Sequence, residues 1–162
     1  MFTALFIAGF LVAGQQSSTM ISGSIVAPPQ QQILQPVQVI LLPPRYADLW
    51  NTEVQKRLDV YWQQFQPTLR DRKEFFAEFS KRAHRDATLY VLTRMQFDLS
   101  NKFSDYLIEI PPSGRFEFKN VPFGEYNILA IAKIGNQDVM WHELVDVRSP
   151  IPLFLELKQR IP

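Results

Sequence analysis

Two segments near the start of the chain alternate apolar and polar residues, and a pair of prolines follows each of them. The first extends from Met20 to Val26 and the second from Pro36 to Leu42. A period close to two predicts β-strands, in which successive side chains point to opposite faces. Proline cannot donate a hydrogen bond to a neighbouring strand, so the pairs at 28–29 and 43–44 are expected to end both strands.

Between residues 46 and 102 the apolar residues recur with a period of about 3.6, which predicts helix. We expect the first helix to end at Pro67, because the residue before a proline disfavours the helical conformation. Thr68, followed by Asp71 three residues later, has the spacing of a capping box that starts a second helix. The segment 46–102 is therefore predicted to be a hairpin of two helices or a kinked pair of helices.

Beyond residue 102 the period of two returns, and Gly135-Asn136 is a turn signal of the hairpin kind. Five strands are predicted here, at Tyr106–Ile110, around Phe116 and Phe118, and at Tyr126–Ile134, Val139–Val147 and Leu153–Leu157. Seven short strands separated by turn residues predict a mainly β chain folded as a sandwich. Two strands precede the helices and five follow them. The helical segment is therefore predicted to be an insertion between strands 2 and 3 of a single domain, residues 15–162.

The 162 residues carry a formal net charge of +1 and include no cysteine. This near-neutral balance gives no general attraction for nucleic acid, so we expect no nucleic-acid partner. The lack of cysteine excludes disulfides, thiolate metal sites and cysteine nucleophiles. A chain of this length is the size of one domain with a substantial core.

The first charged side chain is Arg45, and residues 2–12 form a compact apolar run that gives way to small and polar residues. This layout is typical of a secretory signal peptide, although no Lys or Arg precedes the run. We predict a signal peptide at residues 1–14 and an extracytoplasmic protein, secreted or periplasmic. The run is too short to span a bilayer comfortably, so membrane attachment is expected only through an uncleaved N-terminal segment. The alternative is a buried N-terminal strand or helix of a cytosolic protein.

The stretch "GRFEFKNVPFGEYNILAIA", beginning at Gly114, has a glycine, an alternating Phe strand, a Val-Pro-x-Gly turn and a Tyr strand. This pattern resembles the carboxypeptidase regulatory-like domains of the transthyretin-like (prealbumin-like) superfamily, as do the first strand "ISGSIVAPP" and the second strand "QPVQVILLPP". The resemblance implies a seven-stranded Greek-key β-sandwich with Phe116, Phe118 and Tyr126 facing the core. It also implies an accessory, adhesive or scaffolding role outside the cytoplasm. The helical insertion departs from the usual short domain of this family.

The sequence contains two histidines, His84 on the second helix and His142 on the sixth strand. Nothing in the sequence pairs them, and a single histidine on a charged helix is interpreted as solvated polar surface. The chain has no zinc-protease, P-loop, nucleophile-elbow or dinucleotide-binding motif. We therefore expect no enzymatic activity, no cofactor and no metal site.

An aromatic stripe on the helices is the feature with the most functional content. Four of its residues are candidates for contact with a protein partner or a sister subunit: Trp50, Tyr61, Trp62 and Phe65. The other interpretation is that the stripe packs between the helices and the sandwich, as aromatic residues at helical spacing commonly do. An alternative function is a carbohydrate- or small-ligand-binding sandwich that uses exposed aromatics such as Trp141.

Overall fold

The structure is a computed structural model that describes residues 17–27, 29, 32–71, 73–112, 114–158, 160 and 161. The predicted signal peptide, residues 1–14, lies outside these described residues. No helix among the described residues is both long enough and apolar enough to cross a bilayer.

Seven strands and two long helices make up the described fold. Their order along the chain is β1 (Ser18–Ile25), β2 (Val37–Leu42), α1 (Pro44–Asp71), α2 (Lys73–Leu99), a short 3₁₀ helix (Ser100–Asp105), β3 (Leu107–Ile110), β4 (Arg115–Pro122), β5 (Gly124–Ile134), β6 (Gln137–Val147) and β7 (Leu153–Leu157). All seven predicted strands are present, and the helices stand between the second and the third, as predicted.

The strands form two sheets, one of three strands in the order β4-β1-β7 and one of four in the order β3-β2-β5-β6. β1 is antiparallel to β4 and parallel to β7, whereas the other pairs are antiparallel. The Val-Pro-Phe-Gly turn does not close a hairpin. It carries the chain from one sheet to the other, because β4 pairs with β1 while β5 pairs with β2 and β6.

The expectation of a mainly β chain holds only in part. α1 has 28 residues and α2 has 27, so the two helices contain about as many residues as the seven strands do together. The predicted helix end at Pro67 and the predicted start at Thr68 are wrong. α1 continues past both residues to Asp71, and α2 begins at Lys73. An internal proline costs a helix about 3 kcal/mol, which disfavours this geometry without excluding it.

The protein has three layers, which are the three-stranded sheet, the four-stranded sheet and the helical hairpin. Two separate hydrophobic cores hold these layers together. The sandwich core lies between the sheets and is built around buried residues that include Ile21, Val39, Phe116, Ile128 and Trp141. The hairpin core lies on the outer face of the four-stranded sheet and includes Ile40, Leu42, Trp50, Ala87, Val91, Met95 and Leu129. The part of the hairpin that contributes to this core is therefore a structural layer of the protein.

Three aromatic residues of the glycine-to-tyrosine stretch face the sandwich core, as predicted. Phe116, Phe118 and Tyr126 are at most 3% exposed. The Tyr126 hydroxyl donates a hydrogen bond to the carbonyl oxygen of Pro122 at 2.9 Å, which ties the start of β5 to the end of β4. The buried tyrosine thus stabilises the crossing between the two sheets.

Gly23 lies in the middle of β1, at a point where a side chain has no room. A Cβ atom there would lie 2.3 Å from the Leu155 carbonyl oxygen and 2.5 Å from Cζ of the fully buried Phe116. We expect Gly23→Ala to lower the free energy of unfolding by about 1–3 kcal/mol, measured by urea unfolding. Ser24→Ala, on the opposite face of β1, is the control. Equal losses in the two variants would contradict the close approach of Phe116.

Candidate functional site

The helical hairpin divides into a buried proximal half and an exposed distal half. The proximal half supplies Tyr46, Ala47, Trp50 and Val54 from α1, and Ala83, Ala87, Val91 and Met95 from α2, all of them buried. Between these two sets the hairpin carries large aromatic residues that are partly or largely exposed. The distal half therefore offers exposed aromatic rings for contact with another molecule.

We call Tyr61, Trp62, Phe65, Phe76 and Phe79 the aromatic tip. Trp62 and Phe76 are each 47% exposed, and Phe65 is 37% exposed. Phe79 stacks on Phe65 with ring centroids 4.7 Å apart, and it also contacts Tyr61 at 5.3 Å. The rings thus support one another across the two helices while leaving several of their faces in solvent.

Trp50, the first predicted partner contact, does not belong to this surface. It is 3% exposed, and its Nε1–H donates a hydrogen bond to Oγ1 of Thr88 at 2.9 Å. The Thr88 hydroxyl in turn donates to the His84 carbonyl oxygen at 2.8 Å. Trp50 therefore joins α1 to α2 inside the hairpin core. Of the other predicted contacts, Trp62 and Phe65 are exposed and Tyr61 is half-buried.

The structure brings together two histidines that the sequence did not pair, one on each side of Trp50. The ring centroids of His84 and Trp50 are 5.5 Å apart, and those of His142 and Trp50 are 5.0 Å apart. Both imidazoles are half-buried, so the expectation of solvated surface is wrong for His84. We call Trp50, His84 and His142 the histidine–tryptophan cluster.

Both histidines in the cluster are shifted towards the neutral form. Burial lowers the pKa of His84, although the hydrogen bond to the Ser80 carbonyl opposes this effect. Because a carbonyl oxygen only accepts, Nδ1 of His84 is the donor in that bond, which is 2.7 Å long. Burial also lowers the pKa of His142, and the proximity of His84 lowers it further.

Three buried polar atoms near the cluster have no hydrogen-bond partner among the described residues. They are Nε2 of His142 and both side-chain amide atoms of Asn127. In the register of β5 and β6, Leu129 lies opposite His142 and Asn127 lies opposite Leu144. Asn127 and His142 are therefore diagonal neighbours on the outer face of the sheet. Unsatisfied polar atoms are costly in a buried interface, so these three atoms weaken the contact between the sheet and the hairpin.

A groove of about 530 Å³ opens beside the cluster, between α2 and the turn that joins β5 to β6. Its walls include Phe79, Lys81, Arg82 and Arg85 from α2, Asn136, Gln137, Asp138 and Met140 from the β5–β6 hairpin, and Ile161. Lys81 pairs with Glu78 at 3.1 Å, and Arg85 pairs with Asp86 at 3.2 Å. The groove is thus mixed in polarity, and the positive charges along it are largely balanced by carboxylates of α2.

Trp141, the residue named for the alternative of carbohydrate binding, lies inside the sandwich. It is fully buried, and its Nε1–H donates to the carbonyl oxygen of Val26 at 3.2 Å. It therefore cannot form an exposed binding platform together with His142, which lies on the other face of β6.

The described residues contain no group of three or more His, Asp or Glu side chains placed to hold a metal ion. The sequence did carry one usable signal for the cluster. Strict alternation on β6 puts Met140, His142 and Leu144 on one face, and β2 and β5 carry large apolar residues on the face that the hairpin covers. A histidine on such a covered face is at least partly shielded from solvent, as His142 is.

Comparison with known proteins does not show which family the chain belongs to. No family model matches the chain, and no curated protein matches it. A solved structure that does match is that of a proposed carbohydrate-binding protein from Pseudomonas aeruginosa, with 17% identity over 90% of this chain and 91% of that chain. The TM-score is 0.33, and a likeness at this level carries no argument about the fold or the ligand of this chain.

Proposed function

We propose that the protein is a non-enzymatic, extracytoplasmic interaction module in which a transthyretin-like sandwich presents a helical hairpin to a protein partner or a sister subunit. One observation carries the proposal: Trp62, Phe65 and Phe76 are exposed together on the distal half of the hairpin. Exposed aromatic residues held on a rigid scaffold are typical anchors of protein interfaces.

The arrangement of the strands supports the membership in the transthyretin-like superfamily that the sequence motif suggests. Two sheets of three and four strands face one another, and the connection after β4 crosses from one sheet to the other. The hairpin is inserted where β2 passes to β3, two strands that pair directly in the four-stranded sheet. The insertion therefore leaves the sandwich topology unchanged.

The aromatic tip and the start of β1 lie at opposite ends of the molecule. β1 begins at Ser18, at the end of the sandwich where β4 ends and β5 begins. α1 also begins there, because Pro44 packs beside Gly124. The other end holds the β5–β6 turn, where Phe79 of the tip lines the groove together with Asn136. A chain held by its N-terminus, at a membrane or otherwise, thus presents the tip on its far side.

The test is light scattering coupled to size-exclusion chromatography over a range of concentrations, on residues 15–162. We expect the apparent mass of the wild-type chain to rise with concentration. The same mass should stay constant when Trp62, Phe65 and Phe76 are all replaced by glutamine. The expected thermal unfolding midpoint of this variant stays within about 4 °C of the wild type, because exposed substitutions change stability little.

The matched control replaces three exposed apolar residues outside the tip with glutamine. Leu89, Phe97 and Leu144 are suitable, because they are 58%, 78% and 61% exposed. This control should associate as the wild type does. A control that loses association as fully as the tip variant, or a wild-type chain that stays monomeric at every concentration, contradicts self-association through the tip.

A second candidate is the binding of a small ligand or carbohydrate in the groove between α2 and the β5–β6 turn. The observation that favours it is the combination of one aromatic ring, Phe79, with the polar side chains of Asn136 and Gln137. Such a mixture of an apolar surface and a few polar groups is common in ligand sites. Substitution of Gln137 by alanine should then weaken glycan-array binding without changing self-association.

A further inference from the structure

We infer that the helical hairpin docks on the sandwich as an acid-sensitive element: protonation of His84 and His142 releases α1 and α2 from the outer face of the four-stranded sheet, while the sandwich stays folded. The inference goes beyond the proposed function and does not depend on what the aromatic tip contacts. It follows from the separation of the two cores, from the position of both histidines between hairpin and sheet, and from the buried, unpartnered Nε2 of His142.

The two separate cores make a partial release possible. The sandwich core around Phe116 and Trp141 lies between the sheets, and the hairpin core around Trp50 and Leu129 lies outside them. The two ends of the hairpin join β2 and β3, which are hydrogen-bonded to each other. Release of the helices therefore breaks no strand pairing, and a unit of this kind can open locally.

Both histidines of the chain lie in the interface between hairpin and sheet, one contributed from each side. His84 belongs to α2 and His142 to β6, and both rings contact the indole of Trp50 on α1. A change of charge on either ring therefore acts at the point where these three elements meet.

An added proton on Nε2 of His142 has no hydrogen-bond acceptor within the described part of the chain in the docked state. Nδ1 of His84 already donates to the Ser80 carbonyl oxygen, so a second proton must go to Nε2. Nε2 of His142 is buried and has no partner among the described residues, so protonation would place an N–H group there without an acceptor. A buried and unpaired imidazolium is unfavourable relative to the solvated ion of the released state.

The charged residues on the packed elements do not offset this cost, and none of them contributes to the pKa of either histidine. Most of the charged side chains on α1 and α2 are ion-paired: Glu53 with Lys56 and Arg57, Glu78 with Lys81, Asp86 with Arg82 and Arg85, and Asp98 with Arg94. Asp48, Asp59 and Glu74 are exposed. On the sheet, Glu143 lies on the face of β6 opposite to His142, and the others lie near the ends of β5 and β6: Glu125, Lys133, Asp138 and Asp146.

The direction of the pH effect follows from the pKa of each histidine, which is below its ordinary value of 6.5 in the docked state. Release into solvent returns each pKa to the ordinary range. Docking is therefore fully stable above about pH 6.5 and weakens as the pH falls from there through the lowered pKa values, because the released state binds more protons. Within this window each histidine raises the released population by at most about tenfold per pH unit.

The experiment uses the absence of cysteine from the chain. Ala87→Cys places a single thiol in the hairpin core, and Ala130→Cys places one in the sandwich core, at two positions that are both fully buried. Each thiol is labelled with dithiodipyridine, which reacts in mild acid. The rate is divided by that of the same variant unfolded in urea at the same pH, which removes the effect of pH on the reagent and the thiol.

We expect the relative labelling rate of Ala87→Cys to rise at least tenfold between pH 7 and pH 5, while Ala130→Cys stays protected. In the Ala87→Cys background, His84→Gln with His142→Gln should abolish the rise. If circular dichroism shows that this double variant is unfolded, each single glutamine variant should roughly halve the slope of log rate against pH. A flat response of Ala87→Cys, an equal rise of both thiols, or a rise that survives the glutamine substitutions would overturn the inference.

Discussion

Trp50→Ala is expected to lower the free energy of unfolding by about 3–5 kcal/mol, the usual cost of truncating a large buried aromatic side chain. Trp50 is 3% exposed, and its indole contacts the rings of both histidines. The variant also loses the hydrogen bond to Thr88 that joins α1 to α2. Urea unfolding followed by the helical circular dichroism signal at 222 nm measures the loss, because helices that no longer dock lose their structure.

Trp62→Ala is the matched control, since it removes the same side chain from the same helix. Trp62 is 47% exposed, and we expect its removal to change the free energy of unfolding by no more than about 0.5 kcal/mol. Equal losses for the two tryptophans would mean that both are structural, and the aromatic tip would then lose its main anchor. A negligible loss for Trp50 would contradict the packing of the hairpin core.

The strands could be predicted from the sequence because each one carries its own local signals. β5 and β6 are joined at Gly135 and Asn136, and Gly135 adopts the positive φ angle of 62° that such a turn favours. Phe116 and Phe118 alternate with charged residues, and the core position that the family resemblance implies for them is confirmed, since they are 0% and 2% exposed. These signals span fewer than ten residues each, so distant parts of the chain do not change them.

The division of the aromatic stripe could not be predicted, because periodicity shows which side of a helix is apolar and not how far the surface beneath it extends. Trp50 lies over the sheet, and Trp62, three turns further along α1, lies in the half of the hairpin that is not buried there. One stripe therefore has a structural half and an exposed half.

The meeting of the two histidines depends on long-range packing for the same reason. His84 and His142 are far apart in sequence, and their distance in space is set by the way α2 crosses the four-stranded sheet. The sequence assigned His142 correctly to the same face as Met140 and Leu144. Only the position of Trp50 above that face, 5.0 Å from the imidazole of His142, makes the histidine part of an interface.

Removal of the hairpin is expected to have the largest effect of all, because it uncovers the outer face of the four-stranded sheet. In this variant a short turn rich in glycine and asparagine replaces residues 43–105 and joins β2 to β3. The join is geometrically simple, since Ile40 pairs with Leu107 and the Leu41 amide donates to the Tyr106 carbonyl oxygen at 2.9 Å. We expect the shortened chain to elute as an aggregate in size-exclusion chromatography.

The physical reason is the apolar surface that the helices normally cover. It consists of neighbouring side chains on β2 and β5, namely Ile40, Leu42, Leu129 and Ile131. Together they form a continuous patch of roughly a few hundred Å², about the size at which exposed apolar surface leads to association. A shortened chain that is a stable monomer would contradict the hairpin core as a required structural layer.

Threonine at the same four positions should rescue the shortened chain, because threonine favours strands and tolerates solvent. We expect a monomer with a β-type circular dichroism spectrum and a cooperative thermal transition, since the sandwich core around Phe116 and Trp141 uses none of these four residues. If the rescued chain folds, the sandwich does not need the helices, and acid can release the hairpin without unfolding the rest. If it does not fold, the two cores form one cooperative unit, and His84 and His142 must then affect the stability of the whole protein.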